Sequence, residues 1–152
     1  MSPSPNFFHQ SIVMELAFAI RSYLERNRIG RVIAAPADVE LDHDNVFQPD
    51  LYFIRSERLQ IVDDHGVKGA PDLVVEVISG STGRLDLGPK KLIYAAKGVT
   101  EFWAVYPQEH RVEVYLLTES ATVPAKTLTE GSLLTSSLLP GLEIALDRVF
   151  AK

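Results

Sequence analysis

The 152-residue sequence contains no cysteine. That excludes a disulfide framework, cysteine-ligated zinc, iron–sulfur clusters and a thiol nucleophile. Basic residues are also few: 15 Lys and Arg against 20 Asp and Glu leave a net charge of −5. A strongly basic nucleic-acid footprint is therefore absent, and any phosphate-binding patch has to be local. No run approaches the roughly 18 apolar residues that a spanning helix needs. Met1-Ser2-Pro3-Ser4-Pro5-Asn6 has neither the basic nor the apolar region of a secretory leader. The expectation is a soluble cytoplasmic protein without a membrane partner. What the chain does have is an ordinary globular composition, 46% hydrophobic and 23% charged. A chain of this length buries about 68–70% of its unfolded surface on folding, which suits a single domain over residues 1–152.

Helical spacing is clear near the start. Ile12, Leu16, Ala19 and Tyr23 recur on one stripe, widened by Val13, Ile20 and Leu24, and predict a helix over 8–26 that ends before Gly30. From Gly30 to Ile54 the pattern is strand-like, with Asp42-His43-Asp44-Asn45 as a hairpin turn. Leu51-Tyr52-Phe53-Ile54 reads as a mostly buried strand, and 55–69 as a loop with a short helical turn. Leu73-Val74-Val75-Glu76-Val77-Ile78 is the most β-prone stretch. A helix is predicted over 89–97, with Pro89 in its first turn and Gly98 just past its end. Strands follow at 101–106 and 111–117, the second alternating like a half-exposed arm with a free edge, and a weaker strand lies near 126–128. The order gives one α/β domain.

Several common sites are absent. His9, His43, His65 and His110 show no metal-binding spacing and read as surface or turn residues. Gly83 to Lys90 only half-matches a phosphate loop, because Pro89 stands where its lysine belongs. Gly80-Ser81-Thr82-Gly83 is not a nucleophile elbow. What remains is a set of acids set into apolar strands: Asp50 before Leu51, then Asp72 and Glu76 around Leu73-Val74-Val75. Carboxylates are rarely buried unless paired, protonated or bound to a cation. Asp72 and Glu76 share a strand face but stand about 13 Å apart in an ideal strand, too far to ligate one ion together. Asp50 on a neighbouring strand is the better partner for Glu76, and two such acids suit Mg²⁺ or Mn²⁺. The alternative is that the acids only cap strands or pair with buried bases. Asp86, Lys90 and Tyr94 follow at spacings of four. Lys90 at a predicted helix N-terminus suits a phosphate, whereas Lys91 reads as solvated.

These pieces together resemble a known family. Pro49-Asp50, Pro71-Asp72 through Glu76 to Ser79, Asp86-x-x-x-Lys90-x-x-x-Tyr94 and Gly98-Val99-Thr100-Glu101-Phe102-Trp103 are similar to the Uma-type branch of the PD-(D/E)xK restriction-endonuclease-like superfamily. The likeness extends back to His9-Gln10. It implies a restriction-endonuclease-like mixed β-sheet flanked by helices, with an N-terminal helix and a C-terminal β-hairpin extension. It implies catalytic roles for Asp50, Asp72, Glu76 and Lys90, with Asp50, Glu76 and Asp72 as metal ligands for Mg²⁺ or Mn²⁺. Ile78 occupies the position where the general pattern has its lysine, and Lys90 from the next helix is the substitute in space. Glu15 is a further candidate. Tyr94, Phe102 and Trp103 could stack on bases but read as core aromatics.

The implied activity is metal-dependent hydrolysis of phosphodiester bonds in DNA by a homodimer. The alternative is a catalytically inactive nuclease-fold module that binds nucleic acid or a protein partner, which the residue at Ile78 and the net charge of −5 favour. A structural module with satisfied core acids is the third reading.

Overall fold

A computed structural model describes residues 6–152, with 81 and 82 described by their backbone alone. The leader reading of residues 1–5 lies outside them. Helix α1 (Phe7–Arg26) begins at Asn6, whose side chain accepts the His9 N–H, and buries His9, Ile12, Leu16, Ile20, Tyr23 and Leu24. Strands β1 (Gly30–Ala34), β2 (Val39–Asp42), β3 (Asn45–Phe47) and β4 (Leu51–Arg55) follow, with the β2–β3 turn at the predicted place. A 3₁₀ turn (Ser56–Ile61), β5 (Val62–Asp63) and β6 (Gly66–Lys68) fill the predicted loop. Next come β7 (Leu73–Val77), α2 (Gly80–Lys97), β8 (Glu101–Tyr106), β9 (Arg111–Leu116) and β10 (Lys126–Thr129). The chain ends in β11 (Leu133–Leu134), β12 (Ile144–Ala145) and α3 (Leu146–Val149).

The main sheet has six strands in the order β1-β4-β7-β8-β9-β10. Its pairings are antiparallel except for β7 beside β8. A parallel pair needs a crossover connection, and α2 supplies it. The sheet is mixed and flanked by helices, as expected. Because strand side chains alternate, the central strands feed two cores. Leu51, Phe53, Leu73, Val75, Trp103 and Val105 pack with α1 and α3. Tyr52, Ile54, Val74, Phe102 and Ala104 pack with Leu87 and Tyr94 of α2. A small sheet, β3-β2-β6-β5, adds Val39 and Val67 to that second core. Tyr94, Phe102 and Trp103 are wholly buried, so they are core aromatics. Among the described residues, no helix is long and apolar enough to cross a membrane.

Three expectations need correction. Helix α2 starts at Gly80 rather than Pro89, which sits inside it. An interior proline removes one backbone donor at a cost of about 3 kcal/mol, and Leu87 in the turn before it is buried against the second core. Lys91 is not solvated: it is buried, with its ammonium 3.6 Å from the centre of the Tyr115 ring. The arm at 111–117 is not a free edge, because β10 pairs along it from Lys126 opposite Val114 to Thr129 opposite Arg111.

Gly30 lies where β1 meets β4, and a Cβ there would stand 2.3 Å from the Ile54 carbonyl oxygen and 2.5 Å from the Phe53 ring. Both neighbours belong to the packed sheet, so neither can yield cheaply. Gly30→Ala is expected to destabilise by about 1–3 kcal/mol, the usual range for overpacking, read as a lower midpoint in urea with an unchanged slope.

Candidate active site

Strand β4 pairs with β7 from Phe53 opposite Leu73 to Leu51 opposite Val75. One further step of that register brings Asp50 opposite Glu76, at the end of the sheet where β4 has stopped. Strand β7 continues to Val77 beside β8, with Val77 opposite Val105. The Val77 N–H has lost its ladder partner on the β4 side and donates instead to Asp50 Oδ2 at 2.8 Å. A buried backbone donor must find an acceptor, and here the acceptor is a carboxylate.

Glu76 faces α2. Its side chain meets Lys90 Nζ, 3.0 Å from Oε2 and 3.3 Å from Oε1. The Tyr94 hydroxyl donates to Oε2 at 3.4 Å. Lys90 and Tyr94 stand four apart on one helix face, and the Tyr94 ring is wedged between Phe47 and Phe102 at centroid distances of 5.3 and 5.7 Å. Lys90 lies in the middle of α2, so the helix N-terminus expected beside it is not there. Its ammonium instead reaches the carboxylate from α2, while Ile78 is buried in the second core.

His9 completes the group, and the sequence reading missed it by classing it with the surface histidines. It is only 5% exposed. Its Nε2–H donates to the Val77 carbonyl at 3.1 Å and lies 3.7 Å from Asp50 Oδ2. The available signal was its place one turn before Ile12 and Leu16 on the buried stripe of α1. The other three histidines do lie in turns, at 43, 65 and 110.

His9, Asp50, Glu76, Lys90 and Asp86 line one cleft of about 220 Å³, closed below by Val77 and Ile78. Burial pushes the Glu76 carboxyl above the ordinary carboxylate range, against the pull of Lys90, and the nearby Asp50 charge pushes it the same way. Burial likewise raises Asp50, against the Val77 N–H and the charges of His9 and Lys90. The cleft thus gathers the carboxylates of Asp50, Glu76 and Asp86 with the Lys90 ammonium and the His9 imidazole, and those carboxylates are hard oxygen donors. That donor set fits Mg²⁺ or Mn²⁺, which are commonly held by one or two carboxylates plus waters and phosphate oxygens. Among the described residues no three His, Asp or Glu side chains form a ready ligand cluster.

The structure does not bring Asp72 to this cleft. It precedes β7 at the opposite end from Glu76, where its carboxylate accepts the Arg55 N–H at 2.8 Å and pairs with Arg58 at 3.0 Å. Asp72 is thus a satisfied strand-end acid, and the distance argument from strand rise already separated it from Glu76. Glu15 lines a different groove, between α1 and the segment from Gly141 to Val149.

The raised carboxyls give a stability prediction. A group whose folded value lies above its unfolded value favours folding below the unfolded value, and loses that contribution as pH rises through the folded value. Asp50→Asn keeps an oxygen acceptor for Val77 while deleting the charge. It is expected to raise Tm at pH 8 by about 2–4 °C, the shift for roughly 1 kcal/mol at this size. The gain should shrink towards pH 4, as wild-type Asp50 becomes protonated. A gain that does not vary with pH would contradict the desolvation account.

The family model described as "Uma2: Putative restriction endonuclease" matches residues 1–147. A solved structure from Anabaena variabilis ATCC 29413, described as "a putative nuclease belonging to DUF820", aligns with a TM-score of 0.77 over 99% of this chain and 84% of that one. At 21% identity, it is a likeness of fold. No match was found among curated proteins. With the family model spanning nearly the whole length, the chain belongs to the Uma2 family of restriction-endonuclease-like proteins.

Proposed function

We propose that this protein is a metal-dependent endonuclease that hydrolyses phosphodiester bonds in DNA, built as one restriction-endonuclease-like domain over 1–152 and acting in the cytoplasm. The observation that carries the reading is the convergence of Asp50, Glu76 and Lys90 in one cleft at the end of β7. Asp50 and Glu76 would hold Mg²⁺ or Mn²⁺. When bound, such an ion lowers the pKa of water and polarises phosphoryl oxygens. Asp72, engaged by Arg58, is left out of the ligand set.

The chain's own residues supply the rest. Lys90 presents an ammonium to the mouth of the cleft, where it would neutralise charge building on the phosphate. Lys90 is held over Glu76 by two contacts rather than one. The Tyr94 hydroxyl restrains Oε2 of the same carboxylate, the oxygen nearer Lys90, and burial keeps that hydroxyl protonated by raising its titration further. Cutting both strands of a duplex calls for two such clefts, so the proposed active form is a homodimer.

The test is nicking of supercoiled plasmid with Mg²⁺ or Mn²⁺, beside EDTA. Glu76→Ala and Asp50→Ala are expected to abolish nicking. Lys90→Ala should slow it about 10²–10³-fold, the usual loss for one donor to a developing oxyanion. Asp72→Asn should leave the rate unchanged while lowering Tm. An equal rate for wild type and Glu76→Ala would rule this site out. Ile78 at the position of the usual lysine favours a second reading, a nuclease fold that binds without cutting. Metal uptake and DNA binding with no cleavage would support that reading instead.

A further inference from the structure

The residue after Glu76 is clamped at both ends of its backbone. The Val77 N–H donates to Asp50 Oδ2 at 2.8 Å, and the Val77 carbonyl accepts from His9 Nε2–H at 3.1 Å. His9 Nε2 also stands 3.7 Å from that same Oδ2. Both neighbours address one oxygen of Asp50, and among the described residues no hydrogen bond engages the other. Asp50 lies just outside β4, so the ladder itself does not fix its side chain.

His9 is well placed to do so, because its own position is over-determined. Its backbone N–H is held by the Asn6 side chain at 2.7 Å. Its Nδ1 lies 3.2 Å from the side-chain carbonyl oxygen of Gln10. The preceding residue, Phe8, meets the His110 ring edge-on at 5.9 Å, and His110 stacks on Phe150 at 5.2 Å with the planes 2° apart. The first turn of α1 is therefore seated on the β8–β9 turn and the C-terminal end of the chain. His9 binds a strand carbonyl and approaches an acid on the next strand.

We propose that His9 is a positioning residue of this site: it holds the Val77 peptide and the Asp50 carboxylate in register with Glu76, so that the two carboxylates stay side by side. The inference rests on the metal-dependent reading above and adds a residue to it. His9 contacts neither ion nor phosphate in this role. It acts through Asp50 and through the backbone that carries Glu76, in the way that outer partners orient the groups that bind a metal.

The experiment is calorimetric titration of Mn²⁺ into the full chain, with Tm measured on the same samples. The proteins are wild type, His9→Ala, His9→Asn, His9→Gln and Glu76→Ala. Loss of an outer partner typically costs about 10–100-fold in metal affinity or activity, and that is the weakening expected for His9→Ala and His9→Asn. His9→Gln can still donate an amide N–H towards Val77 and should recover most of the affinity. Steady-state nicking should show the loss in kcat rather than in KM. If all three His9 proteins fold and bind Mn²⁺ as wild type does, with only Tm lowered, His9 is structural and the proposal fails. Should His9→Ala not fold, the comparison of His9→Asn with His9→Gln decides in its place. A wild type that takes up no Mn²⁺ overturns the metal-dependent reading itself, and this inference falls with it.

Discussion

Strand β7 outlasts its neighbour β4. The antiparallel ladder stops at Leu51 opposite Val75, while the parallel ladder with β8 runs on to Val77 opposite Val105. That two-residue overhang leaves a backbone N–H in a nearly dry place, where an unpaired donor costs about 1–3 kcal/mol. Asp50 meets the need with its carboxylate, and in doing so is fixed beside Glu76. The remaining parts follow from the same geometry. The parallel pairing of β7 and β8 requires a crossover, and α2 brings Lys90 and Tyr94 over Glu76. On the opposite face α1 reaches the Val77 carbonyl through His9.

Buried acids alone do not make a site here. Glu101 is 2% exposed, yet its carboxylate accepts the Trp103 indole N–H at 2.7 Å and is further held by the Ser136 side chain. Asp72 has Arg58 and the Arg55 N–H. Each of these carboxylates has hydrogen-bond or ionic partners of its own. Asp50 and Glu76 differ because they are neighbours, because burial raises both, and because they share one cleft with Lys90 and His9.

Much of this could be read from residue order. The stripe from Ile12 to Tyr23 announced α1, and Leu51 to Ile54 and Leu73 to Val77 announced buried strands, because apolar residues are grouped at the spacing each element needs. Asp50 and Glu76 stood out as carboxylates in apolar surroundings, and Lys90 as the next base at helical spacing from Tyr94. The start of α2 was misjudged because Pro89 is a strong local signal for a first turn, while the burial of Leu87 that extends the helix is a long-range fact. Lys91 was misread for a similar reason: no local pattern reports that the Tyr115 ring lies above its ammonium. The supposed edge at β9 was covered by β10, whose polar sequence carries little periodic signal.

Periodicity alone pointed to an α/β domain and the order of its main elements, and the acids set among apolar residues, read with the family resemblance, pointed to Asp50, Glu76 and Lys90. These are local properties, set by alternation, helical spacing and the rarity of a carboxylate among Val and Leu. Tertiary structure alone decided which acids meet. Asp72 and Glu76 lie four residues apart in sequence and are held at opposite ends of one strand, whereas Asp50, 26 positions before Glu76 in the chain, lies beside it. His9 comes from farther still. Register between strands and the docking of a helix end are set by packing over the whole sheet, and no short stretch of sequence encodes them.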